Sequence, residues 1–287
     1  MPLGPLAYIR ERVVRQVVTT FNDPARGQSP VQRRPAESWF GDNTVTWRVH
    51  GDVTTMMVGG VAGLLLQMLH PAVLAGVWDH SNFRADMHGR LRRTARFIAT
   101  TTYAAEADAR AAIERVRTIH TRVAGALPDG ALYQADDPRL LAWVHVTEAW
   151  SFLAAWRRYA EPSISAGDQD RYFGEMSRVA LALGASPVPR TRLEAQALIT
   201  AMRQELRADQ RTHAVAELVL RTRPEELLAR VPHGLIMHAA IDLLPGWARR
   251  MHGFPTLLPP PLVRAGTLGI AGTLRWAFVS PDYKASK

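Results

Sequence analysis

No cysteine occurs among the 287 residues. That excludes disulfides, thiolate-bound zinc, iron–sulfur clusters, covalently attached haem and a thiolate haem ligand. Any metal must rest on His, Asp, Glu or backbone, and the ten histidines leave that route open. Lysine is almost missing as well. Lys284 and Lys287 are the only two, so arginine supplies nearly all the basic charge behind a net +9 and a pI near 10.7. Such a balance ordinarily points to anionic partners. Here the arginines are spread along the chain, and long guanidinium stems also coat helical surfaces, so nucleic acid is not expected as a partner. Long apolar runs are lacking too. Met56 to Leu69 is short of the roughly 20 residues a bilayer span needs. The stretch 262–279 is interrupted by Arg264 and Arg275; it suits docking on the domain, a dimer contact, or peripheral contact with a membrane surface. The start, MPLGPLAYIRERVVRQ, has no apolar core of the secretory kind, so a cytoplasmic protein is expected.

Helical patterning dominates what is there, with no convincing alternating strand series. The spacing predicts helices at Leu6–Phe21, Met56–Leu69, 73–79, 88–103, 106–124, 138–160, 168–184, 191–208, 212–221, 224–244 and 262–278. WFGDNTVTWRVHGD, residues 39–52, is mixed and suits a short helical turn. Asp137 caps the helix that opens with Pro138, and Gly125 and Gly184 are expected stops. The expectation is one large all-α domain: residues 1–37 a helix and arm, 38–252 the catalytic portion, 253–287 a C-terminal segment packed upon it.

In the 106–124 helix, Ile113, Val116, Ile119/His120 and Val123 follow three-and-four spacing, which puts His120 on the apolar side. An inward imidazole is either a core residue with a local hydrogen bond or a ligand. Arg117, one turn earlier, is donor-only and suits a nearby anion. In WVHVTEAW, His145 falls beside Leu141 and Val144, with Glu148 one turn on to orient it. This pair matches half of a carboxylate-bridged di-iron site, but the required second Glu-x-x-His is missing, and that option is rejected. In RLRRTARF, Arg90, Arg93, Thr94 and Phe97 share one stripe. Either it is a solvated face, or two inward arginines meet an anion, because unpaired burial costs several kcal/mol. Gly59, Gly60 and Gly63 in GGVAGLLLQMLHP each forfeit ~1 kcal/mol of helix propensity. Close approach of another helix or of a flat cofactor explains such use.

Taken in order, GGVAGLLLQMLHP, VWDHSNFR, RLRRTARFIATTTY, RVRTIHTRVAG and WVHVTEAWSFLAAWRRY resemble the family of bacterial rubber oxygenases (latex-clearing proteins) and the fungal oxygenase MpaB, over about residues 38–250. The resemblance implies a globin-like helical bundle holding non-covalent haem b through a histidine. It implies that His120 is the iron ligand, and that Arg90 and Thr94 line the haem pocket. Where latex-clearing proteins carry a lysine able to bind iron, this chain has Arg93, which stays protonated; an open or water-bound sixth position, or another distal group, is implied instead. Asp79 and Asp86 lie near the place of the family's upstream acid. Without a secretion signal, rubber itself is not the expected substrate.

The expected function is a haem-dependent oxidoreductase, an oxygenase using O2 or peroxide on a small apolar or isoprenoid-like substrate. His120 holds iron; Arg93, Arg90 and Thr94 shape the distal side; Arg117 and His145 are further cofactor-binding candidates, His145 also as second-choice ligand. The alternatives are a haem-binding sensor or carrier without turnover, and a cofactor-free helical interaction protein.

Overall fold

The longest buried element is the helix that opens at Pro138, and the rest of the chain is arranged around it. A computed structural model describes residues 5–22, 27–222, 227–255 and 258–278. Among them are thirteen α-helices: α1 Pro5–Phe21, α2 Val45–His50, α3 Val53–Gln67, α4 Pro71–His80, α5 Met87–Tyr103, α6 Glu106–His120, α7 Pro138–Tyr159, α8 Ala166–Leu183, α9 Arg192–Met202, α10 Gln210–Arg221, α11 Leu227–Leu243, α12 Gly246–His252 and α13 Pro260–Phe278. Two three-residue strands, β1 Ala124–Ala126 and β2 Leu132–Gln134, pair antiparallel between α6 and α7. The protein is a mostly helical single domain.

Helix α7 starts as its sequence dictates. The Asp137 carboxylate accepts from the amides of Arg139 and Leu140, and Pro138 sits where no donor is missed. Trp143, Val146, Ala149 and Phe152 are at most 1% exposed, so α7 is apolar nearly all round and must be enclosed. Its chief partner is α3. A Cβ on Gly59 would stand 2.9 Å from the Phe152 Cα and 2.9 Å from the Ser151 carbonyl, and one on Gly63 3.4 Å from the Glu148 Cα. The glycines therefore serve helix-to-helix approach. Gln67 clips the crossing: its side-chain amide donates to the Val144 carbonyl at 3.2 Å, and its backbone carbonyl accepts from the Trp143 indole at 3.4 Å. Each large side chain in this layer contributes about 2–3 kcal/mol by burial.

Helices α8, α9, α11 and α13 pack around this pair. Asp52 caps α3 through the Thr55 amide at 2.8 Å and accepts from Arg275 of α13 at 2.7 Å, joining the last helix to the central layer. Gly184 ends α8 at φ 96°, the left-handed stop expected of it. Gly125 is not a stop. Helix α6 ends four residues short of the expected boundary, and Gly125 lies in β1, where a Cβ would meet the Tyr133 hydroxyl at 2.7 Å. The hairpin and α12 were absent from the sequence reading, and the expected helix at 224–244 begins on residues outside those described. No single described helix is long and apolar enough to cross a membrane. Helices α3 and α4 together pass on length and composition, bent by 103°, but α3 is largely buried within the domain.

Candidate functional site

The C-terminal end of α4 meets Arg90 and the hairpin between α6 and α7. Arg90, on α5, donates from Nη1 to the Ser81 hydroxyl at 3.0 Å. His80 Nε2 lies 3.1 Å from the Ala124 carbonyl, on the strand that follows His120. Asp79 accepts from the Tyr133 hydroxyl at 2.9 Å and lies 3.7 Å from Arg211. Helices α5 and α6, joined by only Ala104 and Ala105, pack against each other. The end of α4 thus touches Arg90 on one side and, through Ala124, the hairpin that follows His120 on the other.

His120 is the last residue of α6; its carbonyl accepts from the Val123 amide at 3.0 Å. The imidazole is half-buried and hydrogen-bonds to none of the described residues. Burial lowers its pKa, with Asp136 acting the other way. A neutral ring with an uncommitted nitrogen lone pair results, which is what a metal ligand requires. The apolar stripe is only partly inward at this end: Ile113 is 4% exposed but Ile119 is 53% exposed.

Arg90 is half-buried, and among the described residues no carboxylate meets it. Burial, then the neighbouring Arg93, lowers its pKa. A partly dehydrated cation with a like charge beside it and only a hydroxyl as acceptor favours an anionic group. Of the rest of the expected inward stripe, Phe97 is half-buried against the cluster of Trp39, Trp47 and Tyr103, whereas Arg93 and Thr94 face outward. Arg93 is exposed and pairs with Asp86 at 3.4 Å; Thr94 is exposed and donates back to the Arg90 carbonyl at 3.3 Å. Arg117 is exposed and pairs with Glu114 at 3.5 Å. The reason is local. Met87, Gly89 and Leu91 take the covered positions in the first half of α5 and leave Arg93 and Thr94 toward solvent, with burial resuming at Ile98 and Thr101. Asp79 and Asp86 are both engaged, Asp86 also capping α5 through the Gly89 amide at 2.7 Å.

His145 and Glu148 sit deeper, on α7. His145 is buried, its Nε2 has no hydrogen-bond partner, and dehydration pulls its pKa to about 4. Glu148 makes no hydrogen bond to His145; dehydration raises its carboxyl to about 7. Near it the structure assembles a polar cluster that the sequence reading missed. His50, at the end of α2, has Nδ1 2.9 Å from the Thr102 hydroxyl and Nε2 3.0 Å from the Tyr172 hydroxyl. Thr102 already donates to the Ile98 carbonyl at 2.7 Å. Its single proton is therefore spent, Nδ1 carries the imidazole proton, and Nε2 accepts from Tyr172. Burial holds His50 neutral, with a pKa of about 3. Tyr172 is raised well above its ordinary value by burial, then by Glu148 and Glu175. No local pattern advertises this cluster, because its members come from α2, α5, α7 and α8.

Among the described residues, no three His, Asp or Glu side chains come together to hold a metal ion. An open groove of about 670 Å3 is lined by Thr200, Arg203, Gln204, Trp247, Arg250 and Met251, and a pocket of about 30 Å3 lies beside His238, Asp242 and Phe254. Neither borders His120.

Residues 47–276 match the family described as ER-bound oxygenase mpaB/B'/Rubber oxygenase, catalytic domain. No curated protein and no solved structure matches the chain. The match runs from α2 to α13 and spans the corner at α4 as well as the α3–α7 layer. This chain therefore belongs to the mpaB/rubber oxygenase catalytic-domain family.

Proposed function

We propose that the protein is a haem b-dependent oxygenase acting on a small apolar or isoprenoid-like substrate, with its helices arranged in globin-like fashion around the cofactor. One observation carries the reading: the end of α4 touches both Arg90, a half-buried guanidinium that no described carboxylate meets, and the hairpin that directly follows His120, a partly dehydrated imidazole without a described hydrogen-bond partner. A lone imidazole holds iron weakly, and a tetrapyrrole supplies the missing ligands while offering carboxylates to an arginine. Bound there, haem supplies the iron-centred activation of O2 or peroxide.

The remaining roles belong to the chain. His120 would supply the nitrogen that holds the iron. Arg90 neutralises an acidic edge of the cofactor and is held in place by Ser81. Arg93 and Thr94 would shape the distal side from the open face of α5, Arg93 as the donor that favours developing negative charge. Asp86 keeps Arg93 from swinging freely. His145, whose Nε2 is also uncommitted, is the second-choice ligand; Arg117, exposed and paired, is the weakest cofactor contact.

Titration of the purified chain with hemin tests this. A sharp Soret band is expected, His120→Ala should abolish it, and His145→Ala should keep it. Loss in the His145 variant alone would move the ligand to α7. No Soret band in any form, or an unchanged one in both variants, would refute haem ligation by either residue.

A further inference from the structure

Helix α13 is apolar on two opposite sides. Its inner stripe, Val263, Thr267, Ala271 and Ala277, is buried against the domain. Its outer stripe, Leu262, Ala265, Leu268, Gly269, Gly272 and Trp276, is exposed. A helix covering a domain ordinarily turns charge to solvent. Here the outer face carries none over about 21 Å of helix, and the whole of α13 contains no Asp or Glu. Its two arginines stay partly exposed but are neutralised by the domain, Arg264 pairing with Asp242 at 2.9 Å and Arg275 with Asp52 at 2.7 Å. Large side chains are truly in solvent: Leu262 is 59% exposed, Leu268 48% and Trp276 40%.

Helix α1 extends this surface. Arg10 lies over the Trp276 ring, 4.8 Å from its centroid, and donates to the Trp276 carbonyl at 3.1 Å. That clasp sets the first turns of α1 beside the end of α13, where Leu6 is 70% exposed and Ile9 51%. The arginines of α1 complete the pattern. Arg15 pairs with Glu11 at 2.6 Å, whereas Arg12 is exposed with no carboxylate among the described residues. The surface is thus an apolar strip with a tryptophan at one end and unneutralised cations at its edge.

We propose that the outer face of α13, with the first half of α1, docks on a lipid bilayer containing anionic headgroups. Leu262, Leu268, Leu6 and Ile9 enter the headgroup–acyl boundary, Trp276 sits at the interface, and Arg10 and Arg12 meet lipid phosphates. A second copy of the chain fits less well. A two-fold contact through this face would offer the arginines of α1 no carboxylate on α13, which has none, while an anionic surface uses them. The inference is independent of the haem assignment and gives an apolar-substrate enzyme direct contact with the phase in which such substrates dissolve.

The test is flotation of the full chain with phosphatidylcholine vesicles, with and without phosphatidylglycerol. Binding is expected with the anionic vesicles. Leu262→Glu/Leu268→Glu should weaken it on the order of tenfold or more, and Arg10→Gln/Arg12→Gln should remove the dependence on phosphatidylglycerol. The substituted leucines are exposed, so thermal unfolding should stay near the parent's and exclude misfolding as the cause. Absence of flotation with both vesicle types would overturn the proposal. So would equal flotation of parent and leucine variants. A concentration-dependent dimer in light scattering, lost in the same leucine variants while vesicles are ignored, would assign the face to a second copy instead.

Discussion

The α3–α7 crossing and the corner at the end of α4 are built from opposite materials. At the crossing, Gly59 and Gly63 bring two backbones together, and Gln67 engages the Trp143 indole and the Val144 carbonyl. At the corner, Arg90 has only a hydroxyl to donate to, and the His120 imidazole, just ahead of the hairpin, is uncommitted. The first region is closed by packing, with His145 Nε2 and the Glu148 carboxyl dehydrated beneath it. The second holds polar groups in reserve, which is the usual cost of a site that receives a ligand.

The strongest way to break this comparison is at Gly59. A Cβ there meets Phe152 backbone at 2.9 Å, so Gly59→Ala should destabilise by ~2–3 kcal/mol through overpacking, read by chemical denaturation. Gly63→Ala, at 3.4 Å from the Glu148 Cα, should instead stay within ~1 kcal/mol of the parent, because recovered helix propensity offsets a tolerable contact. Equal losses at both would show that the crossing is not limited by Gly59.

Glu148 sharpens the comparison through pH. Its folded pKa, about 7, stands above the model-peptide 4.5, so its contribution to stability is full below pH 4.5 and is lost as pH rises through 7. Glu148→Gln should therefore gain on the parent across that window. The gain at pH 8 should be on the order of 1–2 kcal/mol after discounting for partial solvent contact. His50 and His145, depressed to about 3 and about 4, run the other way: their contribution is present above pH 6.5 and lost as pH falls through 4 and 3. Thermal melts across pH 3–9 should show both slopes, and only the alkaline one should vanish in the Gln variant.

At the corner, Arg90→Gln should weaken hemin binding about tenfold, equivalent to ~1.4 kcal/mol. Arg117→Ala should change hemin affinity and stability by less than ~0.5 kcal/mol, since an exposed ion pair of this kind contributes little. A larger effect at Arg117 than at Arg90 would reverse the assignment of the two.

Much of the helical layout was legible because it depends on local signals. Asp137 and Pro138 opened α7, Gly184 closed α8, and three-and-four spacing located α5 and α6. Where such signals conflict with packing they mislead. Gly125 reads as a helix stop but is small so that Tyr133 can lie against it, and Arg93 reads as inward but faces solvent because Met87, Gly89 and Leu91 take the covered side of that half of α5. His50 was invisible as a site residue because its partners, Thr102 and Tyr172, lie far away in sequence.

By itself, then, the sequence determined a cysteine-free helical chain, where its main helices lie, and an ordered set of segments shared with an oxygenase family. Only the tertiary structure decided which polar groups lie beneath other helices, and so which are dehydrated, neutral or unmatched. Periodicity reports the face of a helix, whereas dehydration depends on what other segments place over that face.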